Sequence, residues 1–159
     1  MNKKYYIETY GCQMNVYDSE LVATQLEKSG YIKTDKIDSA DAIFLNTCAI
    51  REKAEETVHN RLSNLHSLKR KKPGMILGVL GCMAQNLKND LLDSKPYVDV
   101  ILGPDSYRRI PELIKAREKV NGHIVDTKLS KFEVYEDLYP SRNEGINAWI
   151  SIMRGCDKF

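Results

Sequence analysis

Tyr5-Tyr6-Ile7-Glu8-Thr9-Tyr10-Gly11-Cys12-Gln13-Met14-Asn15 decides how the rest of the chain is read. A strand-like run leads into a glycine and a cysteine, and a helix start, Asp18-Ser19-Glu20-Leu21, leads out. The same plan recurs twice. Ala42-Ile43-Phe44-Leu45-Asn46 runs into Thr47-Cys48 and then a helix. Met75-Ile76-Leu77-Gly78-Val79-Leu80 runs into Gly81-Cys82 and then a helix. Three cysteines therefore share one structural address, the carboxyl end of a strand where a helix begins. In an open α/β sheet that edge is where ligands bind.

Outward from these loops the pattern keeps alternating. Asp18 or Ser19 can cap a helix from about Ser19 to Lys28, with Leu21, Val22 and Leu26 on its apolar face and Gly30 beyond its end. Tyr31-Ile32-Lys33-Thr34 reads as a short edge strand. Ile50, Ala54, Val58, Leu62, Leu65 and Leu68 recur at spacings of four and three, one stripe of a helix. Glu52, Glu55 and Glu56 stand early in that helix and Lys69–Lys72 at its end, signs that complement its dipole. A helix is expected from about Leu87 to Leu92, a fifth strand over Val98–Leu102, and a last helix over Tyr107–Arg117, with Pro111 tolerable in its first turn. His123–Val125 reads as one more short strand. Strands that alternate with helices make a mainly parallel sheet covered on both faces. The expected class is α/β, a flavodoxin-like or Rossmann-like three-layer αβα fold with a five-stranded sheet in the order 2-1-3-4-5. That order makes strands one, three and four neighbours, ~4.8 Å apart. The three cysteine loops then span roughly 10 Å of one edge, close enough to converge on one object.

A chain of 159 residues, 42% hydrophobic and 29% charged, suits one domain with a real core. Its net charge of +2 does not advertise a nucleic-acid binder. No signal-peptide core follows the basic start, and no apolar run approaches the ~20 residues of a membrane span. We expect a soluble cytoplasmic protein with no membrane partner. Its four cysteines are then better read as metal-binding, reactive or buried than as disulfide-linked.

Taken singly, a cysteine is a small buried hydrophobe. Three at equivalent strand ends, each beside a helix start that stabilises a thiolate, favour ligation. They are separated by 36 and 34 residues, unlike the tight C-x2-C pairs of zinc knuckles. His59 and His66 on the long helix and His123 past the core are poorly placed to complete a zinc site. A four-iron cluster takes four cysteines as a rule, so three would leave one iron free for an outside ligand. Gly11 and Gly81 precede cysteines where backbone must come close to a bulky group, or where the chain simply turns. Gln13, Asn15, Asn46, Thr47 and Gln85 could donate hydrogen bonds to cluster sulfurs, and Asn15 and Thr47 could equally organise their loops. Lys69–Lys72 read first as a solvated helix end. Arg108 and Arg109 are better placed for a phosphate-bearing partner.

Tyr10-Gly11-Cys12-Gln13-Met14-Asn15 with Asp18-Ser19-Glu20, Asn46-Thr47-Cys48-Ala49-Ile50-Arg51 with Lys53-Ala54, and Gly81-Cys82-Met83-Ala84-Gln85 resemble the radical-SAM methylthiotransferase family, in its amino-terminal methylthiotransferase (UPF0004-type) domain. Three motifs in order make the resemblance specific, and it covers essentially the whole chain. Gln13-Met14-Asn15 and Ile50-Arg51-Glu52-Lys53 look most like the MiaB type, which methylthiolates isopentenylated adenosine beside the tRNA anticodon. The resemblance implies that Cys12, Cys48 and Cys82 ligate an auxiliary [4Fe-4S] cluster that carries or donates sulfur. Arg154-Gly155-Cys156 is similar to the opening of the C-x3-C-x2-C motif, so Cys156 would be the first ligand of a second [4Fe-4S] cluster, which binds S-adenosylmethionine in the parent enzyme.

The other two cysteines of that motif are absent from the sequence. The expected organisation is a methylthiotransferase domain over 1–127, a linker over 128–145 and the truncated start of a radical-SAM domain over 146–159. The parent is then an enzyme acting on a tRNA anticodon stem-loop, and this fragment is inactive by itself. Ile146, Ala148, Ile150 and Ile152 alternate with Asn147, Trp149, Ser151 and Met153 as a strand without partners, which gives the fragment a route to self-association. Other readings stay open: a methylthiotransferase for threonylcarbamoyl-adenosine in tRNA or for a ribosomal protein, a cluster-free flavodoxin-like binding module, and a thiol-redox domain pairing Cys12 with Cys48.

Overall fold

Strands β3 (Ala42–Thr47) and β4 (Ile76–Gly81) are buried at every position, so both belong inside a sheet with helices over each face. A computed structural model of the chain places them there; it describes residues 2–48, 52–130, 133, 135–141 and 146–152, with backbone alone for 52–54. Four further strands complete the sheet among the described residues: β1 (Lys4–Tyr10), β2 (Ile32–Lys33), β5 (Val100–Leu102) and β6 (Ile124–Asp126). Every pairing is parallel, in the order β2-β1-β3-β4-β5-β6. The expected 2-1-3-4-5 order holds. The expected count of five strands becomes six, because the short run near His123 pairs with β5 over three residues. A three-residue strand carries too little alternation to be certain from sequence.

Alternation along the strands sorts the core into two layers. Ala42 and Phe44 of β3, with Ile76 and Leu80 of β4, pack under α1 (Gln13–Lys28), which supplies Leu21, Val22 and Leu26. Ile43 and Leu45, with Leu77 and Val79, pack under α2 (Glu52–Lys71), which supplies Val58, Leu62 and Leu65. The second layer also takes Met83 and Ala84 from α3 (Cys82–Asn86) and Leu91 from α4 (Lys88–Ser94). These two short helices replace the single helix expected near Leu87–Leu92. Ile110 and Ile114 of α5 (Ile110–Lys119) join the first layer. At the amino edge Asp99, 3% exposed, accepts the Leu77 N–H and pairs with Lys69 of α2 at 2.5 Å and Arg117 of α5 at 2.7 Å. One buried carboxylate thus ties helices on opposite faces to the sheet.

The polar stretch after β6 packs on the first layer. Tyr135 is 2% exposed, accepts the Tyr107 N–H at 3.0 Å and donates to the Pro104 carbonyl at 2.9 Å. Arg108 lies over its ring and donates to Glu133 and Asp137. Thr24 of α1 donates to the Tyr139 carbonyl at 2.8 Å. Among the described residues no helix is long and apolar enough to cross a membrane.

Candidate metal centre

The register sets the site. Thr9, Asn46 and Leu80 stand level across β1, β3 and β4, and Tyr10, Thr47 and Gly81 form the next level. The chain beyond that second level carries Cys12 after β1, Cys48 directly after β3, and Cys82 as the first residue of α3. All three cysteines therefore lie at the carboxyl edge over three adjacent strands, as the 2-1-3-4-5 order requires. All three are free thiols. Cys12 and Cys82 are exposed and Cys48 is 6% exposed.

Each cysteine is held by local backbone. Cys12 is the residue that caps α1, extended at φ −96° and ψ −177°, and its carbonyl receives the Asn15 and Val16 N–H groups at 3.0 and 3.3 Å. The helix thus begins at Gln13, one turn and more before the Asp18 or Ser19 cap read from the sequence. The side chain of Asn15 reaches back: its Oδ1 accepts the Cys12 N–H at 3.2 Å and the Sγ–H at 3.5 Å. The reciprocal arrangement serves a helix start as a serine or threonine box does. Cys48 donates its N–H to the Tyr10 carbonyl at 3.1 Å, continuing the β1–β3 ladder one residue past the strand. Gly81 sits at φ +97°, where a Cβ would press on the Thr47 carbonyl and stand 2.7 Å from Asn46 Oδ1. Only glycine lets β4 turn that tightly against β3 and deliver Cys82.

Of the predicted polar residues, Gln13 is exposed in the first turn of α1 and Gln85 is half-buried in α3, both on the cysteine edge. Asn46 is fully buried; its Nδ2 donates to the Asn15 carbonyl at 2.9 Å and to Ser19 Oγ at 3.0 Å, and its Oδ1 accepts from Asn15 Nδ2 at 3.3 Å. Both N–H groups of Asn46 are in use inside the fold. Thr47 is likewise buried and donates to the Leu80 carbonyl at 3.1 Å. These bonds are the loop-organising role. Ser19, read as a cap, is instead the outer end of this network and shares a hydrogen bond with Thr9 at 2.8 Å. The Asn46–Ser19 contact spans 27 residues and leaves no trace in local spacing.

Below the edge Glu8 accepts from Arg61 Nε on both carboxylate oxygens, at 3.1 and 2.9 Å, and from the Tyr10 hydroxyl at 2.6 Å. Burial alone would raise the Glu8 pKa, but the bonds from Arg61 and Tyr10 outweigh it and hold the carboxyl below its ordinary range. Burial, and then the bond to Glu8, push the Tyr10 phenol up to about 12. Arg108 and Arg109, read as phosphate contacts, are engaged within the fold: Arg108 with Glu133 and Asp137, Arg109 with Asp126. Lys69 and Lys72 pair with Asp99 and Asp41 rather than standing free at the helix end. Cys156, with Arg154 and Gly155, lies outside the described residues, as do Ala49, Ile50, Arg51 and Asn143.

The donor set can be tested against the group the resemblance implies. Among the described residues no three His, Cys, Asp or Glu side chains gather closely enough to hold one metal ion. A cluster of several irons takes each ligand at a different corner, and its protein ligands are thiolates. Three thiols at the same edge of adjacent strands, two exposed and one recessed between them along the sheet, suit such a group better than a single zinc ion.

Residues 4–103 match the family described as Uncharacterized protein family UPF0004. The chain is 49% identical over 160 residues to a tRNA-2-methylthio-N(6)-dimethylallyladenosine synthase of Bacteroides thetaiotaomicron, covering 99% of this chain and 35% of that protein. It is 49% identical to the protein of the same description from Amoebophilus asiaticus, covering 99% of this chain and 32% of that one. The Bacteroides fragilis protein is 48% identical at 99% and 35% coverage. The chain thus spans about a third of the length of the curated relatives it matches.

Proposed function

From the premise that the chain belongs to the family described as Uncharacterized protein family UPF0004, we propose that it is the auxiliary-cluster domain of a tRNA methylthiotransferase. The observation that carries the reading is that Cys12, Cys48 and Cys82 each follow the carboxyl end of one of three adjacent parallel strands, one or two residues past the level of Tyr10, Thr47 and Gly81. The names of the relatives give the reaction, methylthiolation of an N6-isopentenylated adenosine in tRNA. The anticodon stem-loop is then the partner and the cytoplasm the place of work.

In this reading Cys12, Cys48 and Cys82 hold a [4Fe-4S] cluster, and when bound that cluster supplies the sulfur for the methylthio group. Three thiolates leave one iron for an outside ligand. The chain's own share is to present those thiols together. The starts of α1 and α3 carry Cys12 and Cys82 to the exposed edge. The sheet excludes water from Cys48, and Gln13 and Gln85 stand close enough along the edge to bond an adjacent acceptor. Cys156 belongs to a second cluster, which binds S-adenosylmethionine, in a radical-SAM portion that residues 146–159 begin, after 1–127 and a connection over 128–145.

Anaerobic reconstitution with iron and sulfide tests this. The expected result is a brown species with about four irons per chain, in keeping with a four-iron site. A chain that takes up no iron while its thiols stay reduced would refute the reading, and a reversible Cys12–Cys48 disulfide in its place would assign thiol-redox chemistry instead.

A further inference from the structure

We infer that the buried amide pair Asn15–Asn46 is a positioning device that fixes the Cys12 loop against Cys48, resting on the cluster reading above. Asn46 leaves the fully buried end of β3 and bonds the main chain of α1 at Asn15. A main-chain carbonyl only accepts, so Nδ2 of Asn46 must face it and Oδ1 must face away. That Oδ1 receives Asn15 Nδ2, which turns Asn15 Oδ1 toward Cys12. The orientation of both amides therefore follows from one carbonyl, and it ends on the cysteine's own N–H. Gly11 shows how close the parts lie: a Cβ there would overlap the Asn15 amide and stand 2.9 Å from Cys48 Cβ.

The pair acts through Cys12 and does not touch the bound group. Asn15 Oδ1 accepts from the Cys12 N–H and Sγ–H, while its Nδ2 gives one N–H to Asn46 Oδ1, so both ends of the amide are committed inside the fold. Through its N–H and its Sγ–H together, Cys12 is tied at two points to one oxygen of Asn15. Loop organisation, one of the two roles open to Asn15, is the one this geometry supports, and Asn46 joins it as the clamp that sets one ligand relative to another.

Asn46→Leu removes the clamp from its buried end. Thr24→Val is the control, since Thr24 also ties α1 to the fold, through Tyr139, but far from the edge. Two measurements separate positioning from stability. In the metal-free chain, alkylation of Cys12 followed by mass spectrometry should quicken about tenfold in Asn46→Leu, the equivalent of about 1.4 kcal/mol of lost restraint, with Cys82 unchanged. After reconstitution, iron loss to a chelator should quicken by a similar factor, and Thr24→Val should change neither rate. If Asn46→Leu does not fold, Asn15→Ala, in the first turn of the helix, takes its place. Equal rates in the clamp variant and the control overturn the inference. Failure of the unaltered chain to bind iron would refute the cluster reading alone, because the alkylation contrast does not depend on iron.

Discussion

Gly81→Ala should strongly destabilise the cysteine edge. Gly81 adopts φ +97° and ψ −166°, a region that costs a residue with a Cβ about 1–3 kcal/mol. The added methyl would also meet the Thr47 carbonyl and stand 2.7 Å from Asn46 Oδ1 and 3.3 Å from the Thr47 nitrogen. Thr47 is a ladder residue of β3, opposite Gly81 itself, and Asn46 is locked by Asn15 and Ser19. Neither can give way, so overpacking adds about 1–3 kcal/mol. The stiffer unfolded chain returns about 0.4–1 kcal/mol. The net loss is about 1–6 kcal/mol, against a total of about 5–15 kcal/mol for such a domain. Two controls separate the parts. Gly30 has φ +86° and open space around it, so Gly30→Ala carries strain alone, about 1–2 kcal/mol. Gly74 has open space and no such φ, so Gly74→Ala should be neutral or slightly stabilising. Urea unfolding of the reduced, metal-free chains by circular dichroism gives the three values. If Gly81→Ala costs no more than Gly30→Ala, the close approach of β4 to β3 at the site is wrong.

Alanine at Cys12, Cys48 or Cys82 should each abolish stable four-iron binding while Cys156→Ala leaves it intact; equal iron loss in all four would contradict the assignment. With only Cys156 of its motif in the sequence, the reconstituted chain should release no 5′-deoxyadenosine from S-adenosylmethionine, and detection of that product would refute the assignment. Glu8 has a depressed pKa in the fold, so its ion pair contributes fully above the ordinary carboxylate range and its contribution is lost as pH falls through the depressed value. Arg61→Met should therefore cost about 1.5–3 kcal/mol near neutral pH and make stability fall less on acidification; an unchanged acid dependence by urea titration counts against the pair. Ile146, Ile150 and Ile152 are largely exposed, so the chain should associate through this segment while a version ending at Asn143 stays monomeric. Light scattering that finds both monomeric at one concentration would rule this out.

What the sequence disclosed and what it withheld differ by range. A strand that is apolar throughout, such as Ala42–Leu45, declares a central position through its own residues, and two such runs, before Cys48 and Cys82, mark the centre of the sheet. The start of α1 was hidden because helix starts are sought at side-chain oxygens, and here a thiol residue caps with an asparagine three places on. Local spacing could not show how the charges near Tyr135 are met: Arg108 neutralises Glu133 and Asp137 across 25 and 29 residues, which lets Tyr135 and Leu138 seat in the core. The same blindness made Arg108 look available to a phosphate. Asn46 is the instructive case. It is a polar residue near the end of a buried strand, where burying an amide without partners would cost several kcal/mol, so it must be bonded within the fold. Its partners, Asn15 and Ser19, lie on another element. The residue type could therefore announce a buried bonding need, but only the register of β1 beside β3 shows that Asn15 and Ser19 meet it.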